Sequence, residues 1–238
     1  GGAGAFALAR CLTRSWRWGL LAPFFICVQG NLDAFAQWKL EGVPFFGINW
    51  WKSSRVVKDF FEEKQWETIN EFPFFSFHLA DLHPHVSSIP FVILFLAILY
   101  AMIRRVWAGE AFSLRSSLWL LGVPTAGLCL GFMGFVNGFD LPVFAFLLTS
   151  AFFLLPLLPL FSGRTGRGGR MRRIAWIWSA GAAAVALAAL FAFPFLGGYV
   201  PPKYEQGGLL GLTRYRSELG EILRVWGFHL FVVSGYLG

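Results

Sequence analysis

"SLWLLGVPTAGLCLGFMGFVNGFDLPVFAFLLTSAFFLLPLLPLF", residues 117–161, holds one charged group, Asp140, in 45 positions. Such a run is about twice the ~20 apolar residues that cross a bilayer as a helix. "NGFDLP" at 137–142 supplies the break, so the run reads as a tight hairpin of two membrane-spanning helices. Proline within such helices is tolerated, because neighbouring helices satisfy the freed backbone groups. The expected fold class is therefore all-α, a polytopic integral membrane helical bundle.

The rest of the chain follows the same pattern. Apolar runs at about 18–36, 86–103, 174–196 and 227–238 join the hairpin segments 117–136 and 141–161, giving five full spans and part of a sixth. Of 238 residues 56% are hydrophobic and 14% charged, with a mean hydropathy of +0.59, too apolar for a water-facing surface. The 28 Phe and 11 Trp suit lipid-facing helices and interfacial belts. Cys11, Cys27 and Cys129 show neither CxxC spacing nor even pairing and read as small core residues. The chain starts at Gly1, and its last apolar run stops at Gly238 after about a dozen residues, so it is expected to be an internal fragment of a longer polypeptide. The rival reading of the start is a signal peptide, with Arg10, Arg14 and Arg17 as its basic region, Leu20–Val28 as its apolar region and "AFA" at 34–36 as its cleavage site.

Basic residues orient the spans. With the first span running outward, the cytoplasmic side (loops 104–116 and 162–173 and the N-terminal segment) holds eleven basic residues and one acid, Glu110. The outer side then holds nine basic residues and twelve acids, which satisfies the positive-inside rule. "SGRTGRGGRMRR" at 162–173 reads as a solvated loop touching anionic headgroups, not as a nucleic-acid site. The outer loops 37–85 and 197–226 carry nearly all the polar chemistry. Within the first, the stretch around "SSRVVKDFFEEKQWETINEF" suggests short amphipathic helices. A cell-membrane protein with its polar site facing outside is the expected placement.

The densest chemistry lies in "EFPFFSFHLADLHPHVSSIPF", where His78, Asp81, His83 and His85 fall within eight positions. Three readings stay open. Asp81 and Asp140, each followed by Leu and a nearby Pro, could be helix caps. Pro84 favours an extended His83, which would point Asp81, His83 and His85 to one side as ligands for a divalent metal such as zinc, manganese or magnesium. Helices starting at about 86 and 141 could instead present their amino-terminal ends to a lipid-linked phosphate. Arg55, Lys203, Arg214 and Arg216, with His83 and His85 as donors, would complete that pocket, and an aspartate would serve as general base. Asp33, at the outer end of the first span, is a candidate because ionisable groups at membrane depth are costly. Asn31, Asn137 and Glu71 are weaker candidates, and His229 reads as a packed residue. No P-loop, GxGxxG or GxSxG is present.

"NWWKSSRVV" (49–57), "INEFPFFSFHLADLHPHVSSIPF" (69–91) and "GFMGFVNGFDLPVF" (131–144) resemble the blocks of the "YYY" multi-span membrane proteins, a family of unknown function. The resemblance covers Gly30 to about Pro142. That family is similar at the fold level to GT-C glycosyltransferases, which take a sugar from a polyprenyl-phosphate donor at the outer face. The resemblance thus implies an enzyme in which Asp81 is acid, base or metal ligand, and His83 and His85 bind phosphate or metal. Asp140 and Asp33 would orient the acceptor, with Arg55 and Arg214 or Arg216 on the phosphate. A transporter or lipid flippase is the second hypothesis, and a non-catalytic membrane subunit the third; the scarcity of ionisable groups in the spans after Pro90 speaks against a permeation path.

Overall fold

The computed structural model describes residues 1–61, 64–107, 118–154, 167–198 and 217–237. Their regular structure is helical apart from one two-stranded ribbon, and they form two compact units. The first gathers Gly1, Ala3–Gly19 and Pro84–Pro201; the second gathers Gly2, Leu20–His83 and Pro202–Gly238.

The first unit contains α1 (Gly2–Thr13), α6 (Pro84–Trp107), α7 (Val123–Val136), α8 (Asp140–Leu154) and α9 (Arg167–Gly198). Pro84 opens α6, where its missing N–H costs nothing, and Arg104 and Arg105 close it, where a cation complements the helix dipole. A π-helical turn, Leu118–Gly122, leads into α7. The expected hairpin is present: α7 ends at Val136, and the Asp140 N–H donates to the Asn137 carbonyl at 2.9 Å as α8 begins. Residues 155–161 of the second arm lie outside the described set.

Small residues set how closely these helices approach. A Cβ on Gly127 would lie 2.8 Å from the Ala184 carbonyl oxygen and the Leu187 Cβ, and one on Gly131 would lie 2.8 Å from the Phe191 Cβ. Opposite them α9 presents Ala180, Ala184, Ala188 and Ala192, four residues apart and all buried. This is the small-xxx-small packing that membrane helices use, because lipid is as apolar as leucine and close backbone approach must supply the attraction. Phe95, Met102, Leu130, Met133, Leu148 and Ile177 fill the core around that seam.

Two helical stretches, Pro84–Arg105 and Ile174–Phe195, are long and apolar enough to cross a membrane. Only 33% and 28% of their apolar windows are buried, whereas the core helix of a water-soluble domain would be mostly covered. Large side chains such as Phe146, Leu190 and Phe193 point outward at about 67–73% exposure. Apolar surface on this scale is suited to lipid contact.

The second unit departs from expectation in three places. The run 18–36 is not one span: α2 (Trp16–Cys27) stops, and α3 (Asp33–Lys39) starts afresh. Val28 and Gln29 both donate to the Phe24 carbonyl, while the Leu32 N–H goes to the Arg224 carbonyl at 2.7 Å, so the chain leaves its helical path between Cys27 and Asp33. The stretch expected to form short amphipathic helices instead contains an antiparallel ribbon, β1 (Lys58–Phe61) with β2 (Lys64–Glu67), pairing Lys58 with Glu67 and Phe61 with Lys64. Aromatic residues interspersed with charge suit a strand better than a helix face there. Finally, the last apolar segment belongs to α10 (Leu219–Leu237), which begins eight residues before the expected 227 and carries Glu221 and Arg224 in its first two turns. Two short helices, α4 (Trp50–Ser53) and α5 (Pro73–His78), complete the unit.

Candidate functional site

Three charged side chains and one imidazole form a chain within the second unit: Arg55, Glu71, His83 and Asp81. Backbone pairing brings the first two together. Asn70 N–H donates to the Ser54 carbonyl at 2.8 Å, and the Asn70 side chain accepts from Val57 N–H at 2.9 Å, which lays residue 71 beside residue 55. Arg55 then donates to Glu71 Oε1 at 3.2 Å, and its guanidinium lies 4.5 Å from the centre of the Trp51 ring. Its other nitrogen donates to the Ser54 carbonyl and hydroxyl at 2.9 and 2.8 Å. Arg55 and Glu71 are only 11% and 10% exposed, so this pair is charge-compensated away from water.

The second half of the chain depends on how α5 ends. Ala80 adopts a left-handed φ of 55°. Around it Ala80 N–H bonds the Phe77 carbonyl at 3.1 Å and Asp81 N–H bonds the Ser76 carbonyl at 2.9 Å, the pair of contacts that defines a Schellman close. The chain reverses there without glycine. Asp81 emerges facing His83, whose Nε2 lies 3.0 Å from Asp81 Oδ2 while its Nδ1 lies 3.0 Å from Glu71 Oε2. One imidazole thus bridges two carboxylates, and it satisfies both at once only with a proton on each nitrogen. Exposure rises along the chain, from Glu71 at 10% through His83 at 29% to Asp81 at 57%.

The Asp81 carboxylate meets the His83 imidazole at 3.0 Å, and helix α6 begins at Pro84. The expected extended stretch through His85 is also corrected: the fixed φ of Pro84 starts the helix, so His85 sits in its first turn, where its carbonyl accepts from Ser88 at 3.0 Å, and the alternate-residue argument stops at His83. Glu71 and His83 supply a carboxylate and an imidazole to the group of side chains that could hold a metal ion among the described residues.

A second cluster surrounds Asp33, which is 1% exposed. Gln37, one turn along α3, donates to Oδ2 at 2.8 Å; the Ser53 hydroxyl donates to the same oxygen at 3.0 Å; Arg224 of α10 donates to Oδ1 at 3.0 Å. Asn31 accepts the Asp33 N–H at 3.2 Å and donates to the Ser53 carbonyl. Arg224 also reaches Glu41 at 3.5 Å, which in turn pairs with Lys52. The Asp33 carboxylate is saturated by the protein's own donors, and it ties α3, α4 and α10 together.

The remaining candidates fall elsewhere. Asp140 and Asn137 belong to the first unit, where Asp140 heads α8 and its Oδ2 is buried with no hydrogen-bond partner among the described residues. His78 stacks on Phe74 at 5.9 Å, and His229 packs edge-on to Trp226 at 5.7 Å, aromatic roles for both. Lys203, Arg214 and Arg216 lie outside the described residues. Sequence reasoning gave Glu71 a minor place and passed over Gln37, Ser53 and Arg224. The available hint was "NEF", an acid directly ahead of an aromatic helix.

No curated protein and no solved structure shows significant similarity to the chain. Residues 2–238 match the family model described as "Uncharacterized membrane protein (DUF2298)". That match spans nearly the whole sequence, and it agrees with two helices long and apolar enough for a bilayer and with outward-facing apolar surface: the chain belongs to the DUF2298 family of membrane proteins.

Proposed function

We propose that this membrane protein is a glycosyltransferase of the GT-C kind, moving a sugar from a polyprenyl-phosphate donor to an acceptor hydroxyl at the extracytoplasmic face of the cell membrane. The observation that carries the reading is the graded chain Arg55, Glu71, His83, Asp81, in which a shielded carboxylate orients an imidazole that in turn orients an exposed carboxylate. Such a base–orienter pair is the arrangement general-base chemistry requires. Asp81 takes the proton from the acceptor hydroxyl. The acceptor oxygen bonds to the anomeric carbon, and the bond from that carbon to the phosphate oxygen breaks. Its electrons leave with the polyprenyl phosphate.

Supporting the substrate class are the resemblance of residues 49–57, 69–91 and 131–144 to the YYY proteins and the concentration of acids in the loops that the positive-inside rule assigns to the outside. In this reading Pro84–Arg105 and Ile174–Phe195 cross the bilayer, and the chain of Arg55, Glu71, His83 and Asp81 lies at the outer face. The test is turnover of a radiolabelled polyprenyl-phosphate sugar by the full-length protein in proteoliposomes. Asp81→Asn should lower turnover by about 10²- to 10⁴-fold, the usual worth of a general base. Equal turnover by this variant would sink the assignment of the base. Passage of intact labelled lipid across the bilayer, with no sugar released, would replace the transferase by a flippase.

A further inference from the structure

Two apolar grooves of nearly equal size run along the first unit, of about 600 and 610 Å³, and they differ in one respect. The groove between α8 and α9 is lined by Phe152, Phe153, Trp178, Gly181, Val185 and neighbouring small residues, with no charge. The groove between α1 and α6 is floored by Gly4, Ala7, Ile93, Ala97 and Ala101, and it ends at Arg104 and Arg105. Its two walls run in the same direction: Ile93 faces Gly4 and the Tyr100 hydroxyl reaches the Cys11 carbonyl at 3.5 Å. Both helices therefore finish at the same end. There α1 carries Arg10 in its last turn and Arg14 as its cap, beside the two arginines of α6. From Pro90 to Arg104 the groove extends about 21 Å at 1.5 Å per residue, more than the depth of one leaflet of a ~30 Å hydrocarbon core.

We propose that this groove binds one anionic phospholipid, an acyl chain lying between α1 and α6 and the phosphate seated on Arg104 and Arg105. Shape and charge argue for that occupant together. The small residues Gly4, Ala97 and Ala101 leave the groove open, and its lining is apolar up to the arginines. Its cationic end suits a phosphate at the headgroup level, where guanidinium forks pair with phosphate oxygens. An aliphatic chain alone would suit either groove. The arginines make only this one selective.

The experiment uses the full-length protein in mixed-lipid nanodiscs, with bound lipid counted by native mass spectrometry after stepwise delipidation. Phosphatidylglycerol and phosphatidylcholine of identical acyl composition are the competing probes. The expected result is retention of one phosphatidylglycerol with about 25-fold preference, roughly fivefold for each arginine near a phosphate. Arg104→Gln with Arg105→Gln should abolish the preference while leaving the protein folded. Ala101→Trp, which fills the groove, should abolish retention with both arginines intact. Ala186→Trp in the uncharged groove is the control and should change neither. Inorganic phosphate at millimolar concentration should not displace the lipid; displacement would mean a free-anion site and would overturn the proposal. So would retention without headgroup preference, or a preference that survives the double arginine variant.

Discussion

Glu71 and His83, twelve positions apart, meet at 3.0 Å between Oε2 and Nδ1, and the other oxygen of Glu71 is held by Arg55. The imidazole is therefore fixed from behind, and its Nε2 is aimed at Asp81. Glu71→Gln keeps the shape of the contact but removes its charge. In the proposed transferase it should reduce turnover by about 10- to 100-fold, as loss of an outer partner to a functional imidazole does elsewhere. The effect should fall on kcat and leave KM for the lipid donor nearly unchanged. A pure KM effect would place Glu71 in substrate binding.

Asp33 and Arg224 form a partly shielded ion pair, with Asp33 1% and Arg224 40% exposed. Arg224→Met should destabilise the protein by about 3 kcal/mol, because it leaves a buried carboxylate without its cation. Asp33→Asn should cost less, since Gln37 and Ser53 can rearrange around an amide. A double-mutant cycle read by thermal unfolding in detergent should return a coupling of about 1–3 kcal/mol. Zero coupling would show that the pair makes no net contribution.

Ala80 holds a left-handed φ of 55° that glycine would adopt without steric cost. Ala80→Gly should stabilise the unit by about 1 kcal/mol, and Ala80→Val should destabilise it by more, with the direction of Asp81 following the same order. The check is a thermal melt of both variants beside the parent.

At the α7–α9 seam, Gly131→Ala would drive a methyl to 2.8 Å from the Phe191 Cβ and 2.9 Å from the Ala188 carbonyl. The expected loss is about 1–3 kcal/mol, as for other overpacked sites. Gly138→Ala, which meets nothing within 4 Å, is the paired control and should be neutral. Equal melting temperatures for the two variants would refute the close-packed seam.

Parts of this architecture were legible from residues alone. The long apolar runs marked α6 and α9, and "NGFD" marked the break between α7 and α8, because periodic apolar length and a turn cluster are local signals. The first span was misread for a physical reason. Residues 29–33, QGNLD, do carry a local break signal, but the apolar residues on either side masked it, and partners at Ser53 and Arg224 that no local window contains hold the break in place. The site shows the same division. Asp81 and His83 were found together by spacing. Glu71 needed the pairing of Asn70 with residues 54 and 57 to bring it within reach, and Ala80 gives no sign in its identity that it turns left-handed.

The link from Asp33 to Arg224 closes a separation of 191 residues. Ribosomes add about 5–20 residues per second, so Asp33 waits roughly 10–40 s after its own synthesis before its cation exists. During that interval the carboxylate needs water, and the segment carrying it cannot settle in its final place. Assembly of the polar unit is in this way made to depend on arrival of α10: a chain interrupted before residue 224 would leave the Asp33 carboxylate without its cation, a mark by which quality-control machinery could tell unfinished copies from finished ones.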